Sequence, residues 1–300
     1  MMTVGVVGLG RMGEGVAYRL VQAGFDVIGS DPNSVLKEQI EQEGIRFMSL
    51  VDLAKSSQVI FLLVPAGQIV DQVIAAIMPH AQKGVIIVDA GNSNFKDSQR
   101  RAQELALQGA SFVDCGTSGG VHGRRDGFSL MVGGDKKTYD LIEPLLSALA
   151  VPEGYAYMGV SGAGHYVKMV HNGIEYALMQ AYAEGFQLLK EGAFKDEDLD
   201  LAAITKVWTH GSVIRSWLLE LSHDIFVEDQ KLDKISGRVQ ESGTGAWTVE
   251  EAHRQHIPVP LIEKALLLRK ESRETGGNYA SKIVALMRNK FGGHAFEIKV

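Results

Sequence analysis

The run KMVHNGIE carries Lys168, His171, Asn172 and Glu175, an amine, an imidazole, an amide and a carboxylate at offsets 0, +3, +4 and +7. All four side chains can give, take or hydrogen-bond a proton. In a helix of about 3.6 residues per turn they share one face. The surrounding stretch, residues 167–186, is otherwise mostly apolar and reads as a long helix. A core helix has no use for such a stripe, because each polar group buried without a partner is costly. The stripe therefore faces water, polar partners or a substrate. A solvated face of an amphipathic helix is the plainer explanation. The Gly-rich lead-in VSGAGHY and a nucleotide-binding signature at the N-terminus favour the substrate.

That signature is GLGRMG at residues 8–13. It follows a β-branched run, Thr3–Val7, opens an amphipathic stretch, and is followed by Asp31 at the end of the next apolar run. Gly8 permits the tight turn, Gly10 the close approach of a pyrophosphate, and Gly13 the packing of helix on strand. The phosphates would sit at the helix N-terminus, where free N–H groups and the dipole favour anions. Asp31 is placed to accept hydrogen bonds from a ribose hydroxyl and would repel a 2′-phosphate. No Arg or Lys follows it before Lys37, which favours NAD, while Arg11 keeps NADP open. The expected cofactor set is Gly8, Leu9, Gly10, Arg11, Met12, Gly13, Asp31, Val64, Pro65 and Asn92.

The elements that must position these residues follow from periodicity. Residues 25–30, 58–64, 85–89 and 111–114 are short apolar strands, with helical stretches at 49–56, 68–80 and 97–108 between them. Such an alternation implies a parallel sheet covered on both faces. After Asp114 a polar Gly-rich loop, TSGGVHGRRDG, leads to the strand-like SLMVGG, a helix at 137–150 and a strand-like segment at 155–158. Beyond Gly164 only helical patterns remain. The expected fold is an α/β, Rossmann-type doubly wound domain over residues 1–160, then an all-α substrate-binding and oligomerisation domain over 161–300.

Composition narrows the function classes. The chain has 300 residues and a formal net charge of −6, which gives no support to nucleic-acid or membrane-surface binding. Cys115 is the only cysteine, which excludes an intrachain disulfide and a CxxC metal site. No apolar stretch reaches the ~18 residues of a membrane span, and no signal peptide is evident, so the expected location is cytoplasmic.

Three further clusters complete a candidate site. AGNSNF ends a strand at the edge where open α/β sheets bind ligands, and carries Asn92. Ser118, Gly119 and Gly120 offer a hydroxyl and two permissive backbone positions. RNKFGGH brings Arg288 and His294 to a Gly-hinged tail. Trp208, Trp217 and Trp247 read as core, and His210, His223, His253 and His256 lack metal-ligand spacing.

With these motifs together, the chain resembles the decarboxylating 6-phosphogluconate dehydrogenases of the short form, within the β-hydroxyacid dehydrogenase superfamily. GLGRMG, GNS, SGG, KMVHNGIEY, GTGAWT and RNKFGGH occur in the family's order along nearly the whole chain. The resemblance implies oxidation and decarboxylation of 6-phosphogluconate to ribulose 5-phosphate in the pentose phosphate pathway, with NAD or NADP and no metal. It makes Lys168 the general base and acid and Glu175 an acid, with His171 and Asn172 in the catalytic set. Substrate contacts carry over to Asn92, Ser118, Gly119, Gly120, His171, Asn172, Tyr176, Thr244 and Arg269. Arg288 and His294 match tail residues that reach a neighbouring subunit's substrate, which implies a homo-oligomer, a dimer or tetramer.

Two departures from the family stand out. Many members have a Lys where this chain has Ser242, so one phosphate contact must be replaced or lost. NADP-specific members carry Asn-Arg-Thr where this chain has Asp31, Pro32 and Asn33, in line with NAD. A non-decarboxylating dehydrogenase of a small substrate such as 3-hydroxyisobutyrate would leave Arg269, Arg288 and His294 unexplained. A catalytically silent dinucleotide-binding assembly protein would have no need of both Lys168 and Glu175.

Overall fold

The computed structural model describes residues 2–241 and 243–298, so Ser242 lies outside the described residues. The chain divides into two compact units, Met1–Met169 and Val170–Val300, with the boundary inside the long helix Ala163–Glu191.

The first unit is built on an eight-stranded sheet: β1 (Thr3–Val7), β2 (Asp26–Ser30), β3 (Arg46–Phe47), β4 (Val59–Leu62), β5 (Ile86–Asp89), β6 (Ser111–Ser118), β7 (Phe128–Gly134) and β8 (Ala150–Gly159). Its order is β3-β2-β1-β4-β5-β6-β7-β8. Pairing is parallel from β3 to β6, with Val4 opposite both Val27 and Val59. The chain runs outward from β1 in both directions, so a crevice opens at the carboxyl ends of β1 and β4. Successive residues of β4 alternate between two apolar layers. Val59 and Phe61 join one core cluster, Ile60 and Leu62 the other, and helices cover both faces. That is why the strands read as unbroken Val/Ile runs.

The parallel order expected for the strands up to Asp114 ends there: β7 runs antiparallel to β6, while β8 is again parallel to β7. The expected loop TSGGVHGRRDG also contains structure. Its first two residues finish β6, and the rest folds into a 3-10 turn, Gly120–His122, and a short helix, Gly123–Asp126. Here Gly123 is required, because a Cβ would lie 2.0 Å from the Phe128 ring.

In the second unit the long helix continues to Glu191. The helices Leu201–Thr209, Trp217–Glu228, Thr244–Arg254, Pro260–Thr275 and Tyr279–Gly292 follow. Asp200 and Ser216 cap the first two through side-chain oxygens, Pro260 opens the fourth, and Asn278 and Ser281 form a capping box on the last. The core gathers Met179, Ala183, Phe186, Leu219, Phe226 and Ile283, with Phe186 edge-on to Phe226 at 4.9 Å. Trp208 packs against this core, but Trp217 is 42% exposed and does not belong to it. The C-terminal segment is tied down rather than loosely hinged. Gly293 caps the last helix in a left-handed conformation, and Ser236 N donates to Glu297 O at 2.8 Å beside a bridge between Ile235 and Ile298. No helix of the described residues is long and apolar enough to cross a membrane.

Candidate active site

In the first unit the Gly-rich turn lies at the carboxyl end of β1. Gly8 has φ +88°, and a Cβ there would lie 2.6 Å from Leu63 O. A Cβ on Gly13 would come within 1.8 Å of Gly8 O, so strand and helix touch backbone to backbone. Gly10 differs, because its Cβ would meet nothing within 4 Å. No protein atom requires glycine there, whereas a bound pyrophosphate would. Gly10 also caps the helix Arg11–Gln22 without any side-chain acceptor, which leaves first-turn N–H groups for an anion. These features fit a dinucleotide. Leu9 is buried and Met12 packs on the core, so both would contribute backbone rather than side chain. Asp31 follows β2 directly and accepts from Leu9 N at 2.7 Å and Asn33 N at 2.8 Å. Each carboxylate oxygen keeps a second lone pair for a ribose hydroxyl.

Two neighbouring loops leave the same sheet edge. Val64 and Pro65 follow β4. After β5, buried Asp89 accepts from Gly91 N at 3.2 Å and Ser93 Oγ at 2.7 Å, so exposed Asn92 sits at the tip of a closed turn.

Lys168 is held from below by β6. It is 7% exposed, and a Cβ on Gly116 would lie 2.4 Å from Lys168 Cβ and 2.9 Å from Gly164 O. Gly116 is thus what lets the helix carry Lys168 this close to the sheet. Buried Asp114 accepts from Gly162 N at 2.7 Å and His165 N at 2.9 Å, a carboxylate at the positive end of that helix. Ser118 ends the same strand, with Gly119 at φ +117° and Gly120 at φ +54°. Cys115 lies beside them, but burial pushes its thiol up to about 12 and leaves it inert.

In the second unit the polar stripe continues along the helix. His171 Nδ1 lies 3.1 Å from Asn172 Oδ1 and 3.8 Å from Glu175 Oε2. Tyr176, one residue on, is buried beneath the guanidinium of Arg269, whose centre stands 3.2 Å from the ring centroid. Arg269 is 2% exposed and Arg288 6%. Arg269 Nη1 and Nη2 and the Tyr176 hydroxyl are buried without a hydrogen-bond partner. Burial pushes Arg269 down to about 10, with Tyr176 opposing and Arg288 adding to the shift. Burial lowers Arg288 in the same way. Two buried guanidinium groups beside an unused hydroxyl make a site for an anion with several oxygens.

The motif GTGAWT packs against this cluster. A Cβ on Gly245 would lie 2.4 Å from the Tyr176 ring, and one on Gly173 would lie 2.7 Å from Thr248 Cγ2. The two glycines let the helices close, and buried Thr244 begins the helix next to Tyr176's contact. Arg288, expected to reach a neighbour's site, sits in the last helix of its own chain, where its charge acts on Arg269. His294 lies past the helix end, its carbonyl accepting from Asn289 Nδ2 at 2.9 Å. Sequence reasoning missed Gly116, Asp114 and Gly245 as supports. Only Gly245 stood in a recognisable motif. Among the described residues no group of three or more His, Cys, Asp or Glu is placed to hold a metal ion.

A family model described as the NAD binding domain of 6-phosphogluconate dehydrogenase matches residues 3–173, and one described as the 6-phosphogluconate dehydrogenase C-terminal domain matches residues 164–290. The chain is 44% identical over 299 residues to the NAD(+)-dependent, decarboxylating 6-phosphogluconate dehydrogenase of Haloferax volcanii, across 98% of each chain. Among solved structures, the 6-phosphogluconate dehydrogenase of Plasmodium falciparum matches with a TM-score of 0.81 at 30% identity, over 91% of this chain and 62% of that one. The 3-hydroxyisobutyrate dehydrogenase of Mycobacterium tuberculosis matches with a TM-score of 0.76 at 21% identity, over 96% and 99%. That second likeness is one of fold alone.

Proposed function

The chain belongs to the 6-phosphogluconate dehydrogenase family, and from that premise we propose its reaction. It oxidises and decarboxylates 6-phospho-D-gluconate to D-ribulose 5-phosphate and carbon dioxide, in the cytoplasmic pentose phosphate pathway, with NAD preferred over NADP. The observation that carries the choice of substrate is the buried cluster of Arg269, Arg288 and Tyr176, with its unpartnered guanidinium nitrogens and hydroxyl. A phosphate supplies the missing acceptors. A short unphosphorylated hydroxyacid leaves them empty.

The roles follow from chemistry. NAD, held by the residue 8–13 turn, Asp31, Val64, Pro65 and Asn92, supplies the hydride acceptor. Lys168 as the neutral amine takes the proton of the hydroxyl on carbon 3 while that carbon loses its hydride. The product is a β-keto acid, whose bond to the carboxylate breaks as carbon dioxide leaves. Protonated Lys168, with Asn172, stabilises the charge that develops on the carbonyl oxygen. Glu175, adjacent to His171, then gives a proton to carbon 1 of the enediol. Asn92, Ser118, Gly119, Gly120, His171 and Thr244 orient the sugar chain, and Tyr176, Arg269 and Arg288 clamp the phosphate.

One experiment separates substrate and cofactor: kcat/KM for 6-phosphogluconate and for gluconate, each with NAD and with NADP. The expected ratio of phosphorylated to unphosphorylated substrate is at least about a thousandfold, since unpaired buried donors penalise the analogue that lacks their acceptor. NAD is expected to exceed NADP, because Asp31 and a 2′-phosphate are like charges in contact. Equal use of gluconate, or a higher kcat/KM with NADP, contradicts the corresponding part.

The oligomer belongs to the same proposal. The second unit leaves Ile174, Leu178, Leu188, Val213 and Trp217 exposed, apolar side chains that an interface between copies would bury. A homo-oligomer covers them, and with Arg288 in its own chain's cluster, His294 is the tail group left to serve a neighbour. Mixing Lys168→Met with His294→Ala subunits should restore part of the activity, because some sites then hold an intact lysine and an intact donated tail. No recovery in verified hybrids assigns the tail to its own chain.

A further inference from the structure

Arg101 is only 1% exposed, and the reaction proposed above gives it no role. Its guanidinium donates from Nε to Asp71 Oδ1 at 2.7 Å and from Nη2 to Gly67 O at 2.9 Å. From Nη1 it reaches Ser93 Oγ at 3.3 Å and Asp89 Oδ2 at 3.4 Å. Gly67 lies in the loop after β4, two residues beyond Pro65, and opens the helix Gln68–Ile77. Ser93 lies in the loop after β5, next to Asn92, and Asp89 ends that strand. One side chain on the helix Phe95–Leu107 therefore joins both loops at the sheet edge.

A structural ion pair between the two helices does not require it. Arg100 already binds Asp71 from the surface at 2.9 Å, with solvent still reaching both partners. A buried charge is costly, and a well-packed apolar replacement is often no less stable. What an apolar side chain cannot do is hold four acceptors on two separate segments at fixed angles. A planar guanidinium can, and a lysine presents only a point charge. This buried arginine spends its donors on the bases of the two loops and on Asp71 in the first turn of the helix that follows one of them.

We propose that Arg101 is a positioning residue for the cofactor: with Asp89 and Ser93 it locks the loop carrying Val64 and Pro65 to the loop carrying Asn92 before NAD binds. This rests on Val64, Pro65 and Asn92 being cofactor contacts. Holding loops in their bound arrangement strengthens binding by removing the cost of ordering them.

The test compares Arg101→Lys, Ser93→Ala and Asn92→Ala with the unmodified protein. The dissociation constant for NAD is measured by titration of the substrate-free protein, alongside thermal unfolding and steady-state kinetics. Arg101→Lys is expected to weaken NAD binding at least about tenfold, with kcat at saturating NAD kept within about threefold, since loop order and not chemistry is lost. Ser93→Ala removes one partner without stranding a charge, and is expected to weaken NAD about threefold. If Arg101→Lys does not fold, Ser93→Ala carries the test with the same readout. A folded Arg101→Lys protein with a lowered Tm and an NAD affinity within about twofold of the unmodified protein makes Arg101 a stability element and overturns the proposal. Asn92→Ala keeps the two claims apart. If it leaves NAD affinity unchanged, the assignment of Asn92 to the cofactor fails whatever Arg101 does; if it weakens NAD while Arg101→Lys does not, the lock alone fails.

Discussion

Lys168→Met is expected to lower kcat by at least about a hundredfold, the low end of a general-base contribution, with folding and NAD affinity close to the original. The variant suits the site. The lysine stem packs against Gly116 where there is no room for a side chain, and methionine fills that stem's volume without the amine. The proton of the carbon 3 hydroxyl then has no acceptor, and the developing enolate no ammonium. Single-turnover formation of reduced nicotinamide, with unfolding followed in parallel, reads this directly. Near-normal turnover in a folded Lys168→Met protein removes Lys168 from the mechanism.

Arg269→Met is expected to separate binding from stability. Loss of a charge-assisted bidentate contact to phosphate corresponds to about 3 kcal/mol, or a rise in KM for 6-phosphogluconate of about a hundredfold. Stability should not fall with it. Burial has pushed Arg269 down to about 10, so the folded protein holds that proton less tightly than the unfolded chain does. The charged form is therefore a burden on the fold at every pH below about 10, and stability rises as pH climbs from there toward the ordinary guanidinium range. Removing a buried charge whose nitrogens lack partners stabilises by ~1–4 kcal/mol, against ~2 kcal/mol for the lost stacking on Tyr176. The substrate-free variant should unfold at the same temperature or higher. A lower Tm together with an unchanged KM would make Arg269 a structural residue and empty the phosphate clamp.

Much of the first unit was legible because buried parallel strands leave continuous Val/Ile runs, and because the Gly-rich turn stands between a strand and a helix in a fixed spacing. β1 agrees with expectation to the residue. The direction of β7 was not legible, since apolar periodicity records which face is buried and says nothing of which way a strand runs. Residues 34–47 escaped notice for another reason. A 3-10 turn, a six-residue helix and a two-residue strand are each too short to show a period.

In the candidate site the polar stripe on the long helix is visible in sequence because helical offsets are fixed. Its supports are not. Gly116 matters only because Lys168 arrives against it from a distant part of the chain, and a lone glycine in a strand carries no such message. Arg288 came forward through its place in RNKFGGH and Arg269 through the family resemblance alone, since nothing in either residue's immediate sequence announces its burial. Their burial beside Tyr176 depends on three helices closing through Gly173 and Gly245. The tail misled in the opposite sense, since a Gly-Gly pair suggested a hinge where Gly293 makes a helix cap.

The central claim, that this chain oxidises and decarboxylates 6-phosphogluconate, is tested most directly by following carbon 1. With 6-phosphogluconate labelled at that carbon and NAD in excess, labelled carbon dioxide and reduced nicotinamide should appear together in equal amounts, with ribulose 5-phosphate as the other product. Reduced nicotinamide without labelled carbon dioxide, or no reduction at all, would contradict it.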